Sequence, residues 1–512
     1  MTTTGKNGAM DAEEFDDSSI SPAVWRYAKA TRAHVVVDAA DYFKLMQDAM
    51  IAARERIHLV GWDFDTRARL GPGRGWFRRG AKGRHPNRLG KFILWLCKHQ
   101  PGLQIRVLKW NFGALKFVFR GSMILDLARW YLEPQIDFKF DSAHPLGCSH
   151  HQKIVTIDDC FAVCGGIDMT SDRWDTPEHL EADPRRRRPD GTKLYGPWHD
   201  MTMMVEGPAA GAISALARDR WKVAGGEPLA PCTKQDGTAW PESLKAEFED
   251  VEIGIARTRA AYRDTCEIRE IEKLFVEHIG RARNFIYAES QYFASRVIAE
   301  AIAKKMSEPN PPEIVIVNPE TADGWLEQTA MDGARVQLCH AIGARDTGNR
   351  FRIYLPYNAA GTPIYVHSKM MIVDDKILRI GSANMNNRSL GLDSECDVFI
   401  DSERPGNEHA VPVIRNLRAR LLAEHTGLPF NEVVAALNDG KSMHALIDGA
   451  PKGGKRLEKF VLQALTEAEK TVADNALLDP ERPEEMFEPI HKRRGLFRKG
   501  GWLRRPGGGD SK

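Results

Sequence analysis

One pattern occurs twice in this chain, His-x-Lys-x4-Asp, and the two copies lie 216 residues apart. His151, Lys153 and Asp158 in CSHHQKIVTIDD (148–159) recur as His367, Lys369 and Asp374 in VHSKMMIVDD (366–375). Gly165 and Gly381 keep the same offset. Among 16 histidines, chance explains a single such pattern but not four residue types repeated in register. A duplicated structural unit does explain it. Each half must then fold alike, and the two motifs meet only if the halves associate about a pseudo-two-fold axis.

The surrounding text repeats too. Phe43, Leu45, Met46, Met50 and Ile51 recur at helical intervals before the strand-like IHLVGW (57–62), and IRVLKW (105–110) follows. A helix candidate at 121–132 precedes QIDFKF (135–140). Later, a helical run at 268–283 leads into FIYAESQYF (285–293), then EIVIVNP (313–319) and FRIYLPY (351–357). Short apolar strands alternating with helices predict an α/β fold of two similar mixed-sheet lobes flanked by helices. The expected division is a polar lead-in at 1–35, one lobe at 36–225 and a linker or insertion at 226–265. A second lobe follows at 266–430, then an extension with a basic tail at 431–512.

Residues i and i+2 of an extended segment share a face, so His151 and Lys153 project together, as do His367 and Lys369. Asp158 and Asp374 have the opposite parity and are expected to anchor turns or neighbouring backbone. Two lysines can neutralise the non-bridging oxygens of a phosphodiester. One imidazole can attack phosphorus while the other protonates the leaving oxygen and then activates water or an alcohol. Imidazoles in such roles need carboxylates to orient them. Spacing leaves Asp168, Asp172, Asp175, Asp200, Asp393, Glu395 and Asp397 all open for that task. His150 has no counterpart in the second motif, and His179, His199 and His425 read as structural.

Basic and acidic residues number 72 and 70, so any attraction to phosphate must come from local charge. No run approaches membrane-spanning length and the start has no apolar signal-like stretch, which suggests a cytoplasmic or peripherally membrane-associated protein. Export without a signal stays open. Cys97, Cys148, Cys160, Cys164, Cys232, Cys266, Cys339 and Cys396 are scattered, and read as small buried hydrophobes rather than a zinc site or disulfide framework.

At the two motifs, together with GGIDMT (165–170), GSANMNNRS (381–389) and IYAESQYF (286–293), the chain resembles the phospholipase D superfamily. RWDTPEH (173–179), PWHD (197–200), EGPAA (206–210) and DRW (219–221) are similar to its eukaryote-like branch. The resemblance implies two α/β lobes sharing one active site, with His151 as nucleophile and His367 as general acid, then base. It implies Lys153 and Lys369 on the phosphoryl oxygens and Asn384 as a further donor, with Asp168 at the matching place in the first lobe. It crosses the support, with Glu395 holding His151 and Asp200 holding His367. Gly165, Gly166 and Gly381 are expected to allow close backbone approach, and Ser382 to donate to phosphate.

The implied reaction is hydrolysis of the distal phosphodiester of a glycerophospholipid, through a phosphohistidine, to phosphatidic acid and a free head-group alcohol. Transphosphatidylation is the same chemistry with an alcohol acceptor. Alternatives are a nuclease, a cardiolipin-synthase-like phosphatidyltransferase and a non-catalytic lipid-binding scaffold. No cofactor or catalytic metal is required, with room for a non-catalytic divalent-ion effect. The expected partner is a phospholipid or membrane surface, met by the basic segments WFRRGAKGRHPNR (76–88), RRRR (185–188) and the tail 491–509. Nucleic acid is the less favoured partner, no added regulatory module is apparent, and a duplicated site can work as a monomer.

Overall fold

The computed structural model describes residues 21–462 apart from 71–84, 111–122, 190, 192, 234–237 and 322–324. The first half contributes β1 (Arg26–Val37), β2 (Arg56–Gly61), β3 (Gln104–Trp110), β4 (Ile136–Asp141), β5 (Ile154–Ile157), β6 (Phe161–Gly165), β7 (Trp198–His199) and β8 (Met201–Glu206). The second contributes β9 (Phe248–Arg259), β10 (Ile268–Arg269), β11 (Phe285–Glu289), β12 (Glu313–Val317), β13 (Phe351–Tyr357), β14 (Tyr365–Val366), β15 (Met370–Val373), β16 (Ile377–Gly381), β17 (Glu395–Asp401) and β18 (Arg456–Lys459). From the centre outward, one half reads β1-β8-β6-β5-β2-β3-β4 and the other β9-β17-β16-β15-β11-β12-β13, with β18 added at its edge. The two orders match strand for strand. In each half the three outer strands of that order are parallel and the remainder antiparallel. The protein is therefore a mixed α/β fold with one large mixed sheet and flanking helices.

The halves are not separate lobes joined by a linker. β1 and β9 pair antiparallel, so the sheet runs unbroken through both. The interval 226–265, read as a linker or insertion, contains β9, and the lead-in read as 1–35 contains most of β1. Both strands carry many charged residues, as in RYAKATRAHVVV and FEDVEIGIARTR, which hides their buried positions from a hydropathy reading. The segment after residue 430 also packs onto the fold, with two short helices and β18 on β13.

Apolar clusters fill each half separately, and a third spans both beneath the helices Pro208–Val223 and Val411–Thr426. Each fully buried aliphatic side chain contributes about 1.5–3 kcal/mol relative to exposure. The motif strands β5 (IVTI) and β15 (MMIV) are buried throughout, so the motifs sit on a fully buried part of the sheet. Among the described residues, no helix is long and apolar enough to cross a membrane.

Candidate active site

Each motif ends in an Asp-Asp turn. Asp158 and Asp159, like Asp374 and Asp375, have positive φ, and the turns close through Cys160 N–H to Ile157 O and Lys376 N–H to Val373 O. Positive φ at both central residues suits a tight antiparallel hairpin. The Asp158 carboxylate accepts the backbone N–H groups of Arg54, Glu55 and Arg56, at 2.6, 2.8 and 2.7 Å. Asp374 does the same for Arg283, Asn284 and Phe285, at 2.7, 2.8 and 2.8 Å. Each motif Asp thereby ties its hairpin to the start of the neighbouring strand.

At the other end the motifs cross between halves. The His151 N–H donates to Ser394 O at 2.9 Å, and the His367 N–H to His199 O at 2.7 Å. β14, which leads into His367, pairs with β7, which leads into Asp200. The side chains follow the backbone. His151 Nδ1 lies 2.9 Å from Glu395 Oε1, and His367 Nδ1 lies 2.7 Å from Asp200 Oδ2. Of the seven carboxylates open from spacing, these two meet the imidazoles. Because Nδ1 is engaged in both rings, Nε2 is the ring nitrogen left for another partner.

Lys153 and Lys369 are buried, and each ammonium donates back to the carbonyl of its own motif histidine. Lys153 also lies 3.4 Å from Asp168 Oδ2, while Lys369 donates to Gln291 Oε1 at 3.3 Å. Asp168 is held by the Trp62 N–H at 3.1 Å. Asn384, its counterpart, is buried with its backbone N–H on Ser389 Oγ, and its Oδ1 has no hydrogen-bond partner among the described residues. The Ser382 hydroxyl, expected beside the phosphate, donates instead to Glu395 Oε2. Ser389 donates to Glu395 Oε1 at 2.7 Å, placed there by a short helix that Asn386 caps. The glycines mark close approaches. A Cβ on Gly166 would sit 2.0 Å from Asp200 Oδ1, one on Gly165 2.4 Å from Thr202 Cα, and one on Gly381 1.9 Å from Asp397 Oδ1.

Burial dominates the electrostatics. Together with the charges of Lys153 and Lys369 it holds His151 well below its ordinary value. His367 is held down in the same way by burial, Lys369, Arg173 and Lys153, with His151 a further contributor. Burial brings the Lys369 ammonium down to about 7. It also raises Glu395 to about 8, outweighing Lys153 and Ser382, and Asp200 to about 6. Both histidines feel both lysines, so the two motifs form one electrostatic site that an incoming anion would relieve.

Sequence reading missed the residues behind and around this site. Ser368, between His367 and Lys369, donates to Glu289 at 2.6 Å, and Glu289 also engages Tyr287, His199 and His425. A carboxylate inside the apolar strand FIYAE was the available signal, since it demands buried donors. In the first motif Gln152 takes the matching place, held by Arg220, which also binds Asp141 and Ser394. Half-buried aromatic rings frame the histidines. Trp62 meets the edge of His151 and stacks on Trp110, while Trp198 lies between Tyr365, His367 and Arg173. Three arginines of the run RRRR pair with aspartates, while exposed Arg187 donates to Gly191 O at 2.9 Å. Arg185 pairs with Asp183, buried Arg186 with Asp175 and Arg188 with Asp172. Most of the basic loop 76–88, and all of the tail 491–509, lie outside the described residues.

A family model described as "Phospholipase D" matches residues 137–306, and one described as "Cardiolipin synthase, PLD-like domain" matches residues 275–417. The chain is 26% identical to phospholipase D alpha 1 of Nicotiana tabacum over 55% of its own length and 49% of that protein's. It is 24% identical to phospholipase D alpha 2 of Oryza sativa subsp. japonica, over 74% of its length and 63% of that protein's. It thus spans about half to two thirds of these relatives. The solved structure of phosphatidylserine synthase from Haemophilus influenzae Rd KW20 shares the fold, with a TM-score of 0.51 at 12% identity over 76% of this chain and 88% of that one. Two motif copies, crossed between halves of one duplicated sheet and matched by these families, make the chain a member of the phospholipase D superfamily.

Proposed function

We propose that this protein is a phospholipase D, cleaving the distal phosphodiester of glycerophospholipids through a phosphohistidine. The observation that carries the reading is the pair of crossed histidine–carboxylate contacts, which presents two Nε2 atoms and two buried lysines to one site. His151 Nε2 attacks phosphorus as the bond to the head-group oxygen breaks, and His367, protonated at Nε2 when the bound phosphate offsets the lysine charges, gives that proton to the oxygen. His367 then takes a proton from water, whose oxygen displaces His151 and forms phosphatidic acid. An alcohol in place of water would complete transphosphatidylation. Lys153 and Lys369, with Asn384, neutralise and hold the phosphoryl oxygens, so no step runs through a metal. Which histidine attacks is carried from the family resemblance.

Two features favour lipid over nucleic acid. The relatives matched are phospholipases D by name. Around the helix Met123–Tyr131 the first half exposes large apolar side chains, among them Leu125 at 62% and Leu132 at 78%, with Leu146 at 75%. Exposed apolar groups suit contact with a lipid surface.

The test compares purified wild type with His151→Ala on phosphatidylcholine, phosphatidylethanolamine, cardiolipin and single-stranded DNA. Release of choline or ethanolamine with phosphatidic acid, lost in the variant, is expected. Cleavage of DNA with every lipid untouched would overturn the lipid assignment. A primary alcohol added to the assay reports transfer.

A further inference from the structure

Behind the site, Asp38, His179, His199 and Glu424 bring one ligand atom each to within 4.8 Å of one another, and all four are buried. They come from four separate segments: the end of β1, the loop after GGIDMT, β7 and the helix Val411–Thr426. We propose that these residues form a structural site for a divalent transition metal, Zn2+ foremost, that clamps both halves of the fold behind His367.

The geometry fits a tetrahedral N/O site. Metal–ligand bonds of about 2.0–2.2 Å place neighbouring ligand atoms roughly 3.3 Å apart. Glu424 Oε1 lies 3.2 Å from His179 Nε2 and 2.9 Å from His199 Nδ1. Asp38 Oδ1 lies 3.2 Å from His199 Nδ1, and its Oδ2 lies 3.8 Å from His179 Nε2. Hydrogen bonding alone leaves this cluster incomplete. Among the described residues, His199 Nδ1 makes no properly directed hydrogen bond although two carboxylates flank it, and Asp38 Oδ2 makes none. Both atoms belong to side chains with no solvent exposure.

The far side of each histidine matches a metal ligand's surroundings. His179 Nδ1 is 3.0 Å from Asp175 Oδ2, and His199 Nε2 is 2.8 Å from Glu289 Oε2. A carboxylate on the second nitrogen fixes the tautomer and strengthens the ligating one. Asp38 stands where a helix-capping residue would, yet its side chain makes no cap and turns into the cluster at positive φ. Charge balances in either state. Two imidazoliums or one M2+ with two neutral imidazoles offset the carboxylates equally, so binding releases the protons from His179 Nε2 and His199 Nδ1.

Metal content tests this independently of the reaction. The full chain is loaded with Zn2+, desalted and analysed by plasma mass spectrometry, with X-ray absorption at the zinc edge. We expect about one equivalent of metal, in an N/O shell containing two imidazoles and no sulfur. His179→Ala and Glu424→Gln should each lower this at least tenfold, while His151→Ala keeps it and so separates the site from the reacting histidines. A folded wild type that stays metal-free after loading overturns the proposal. So does a sulfur ligand, or full retention in both ligand variants. If those variants do not fold, the wild-type absorption spectrum still decides.

Discussion

The two halves of the active site present similar faces and differ behind them. Behind His151, Glu395 gathers the Ser382 and Ser389 hydroxyls, and Arg220 is the buried cation that locks Gln152 and Asp141. Behind His367, Asp200 stands nearly alone on the imidazole, and histidines replace the arginine around Glu289, which locks Ser368. The duplication kept the His–Lys pairs and what shapes the hairpins, although Asp168 stands in the first half where Asn384 stands in the second. The support diverged, and the proposed roles would use that difference: a nucleophile must stay unprotonated at Nε2, while an acid must bind and release a proton there.

The sharpest way to break this comparison is to remove each imidazole in turn. His151→Ala should lower turnover by on the order of 10^4-fold or more on any substrate. His367→Ala should lose as much on natural head groups but recover much of the burst with a nitrophenyl ester, whose leaving group needs no proton. Equal loss of the burst in both variants would sink the assignment of roles.

Next comes the arginine that only the first half uses. Arg220→Met leaves Asp141 buried without the cation that, with His150 and against burial, holds it well below the usual carboxylate range. We expect a loss of about 3–5 kcal/mol of stability in denaturant unfolding, since breaking one partner of a buried pair strands the other charge. A smaller effect follows from the carboxylates. Glu395→Gln and Asp200→Asn should each cost roughly 10^2-fold in kcat, by releasing ring orientation rather than removing a reacting atom. A fall confined to KM would contradict this.

The smallest effect concerns Lys369 of the second half. Burial brings the Lys369 ammonium down to about 7, and a bound oxyanion would favour its charged form. At pH 8, binding of tungstate should therefore take up a proton, and affinity should weaken by up to about tenfold per pH unit above 7. Calorimetry in buffers of different ionisation enthalpy measures the uptake, and Lys369→Met should abolish it. Proton release on binding would contradict the sign.

What the sequence determined by itself was everything set by short spacing. The period of two put His151 with Lys153 and His367 with Lys369, the opposite parity of Asp158 and Asp374 pointed to anchors of turns or neighbouring backbone, and the matched offset implied two similar halves. Adjacent residues share a backbone, so their relative directions follow from local geometry. Tertiary structure decided which of seven carboxylates reaches which ring, because that depends on strands crossing between halves. It also decided that charge-laden β1 and β9 are the central seam, that three of the four arginines of the RRRR run pair with aspartates, and that His179, His199 and His425 gather around shared carboxylates. Partners more than 100 residues apart meet only once the sheet closes around them, and no period along the chain records that meeting.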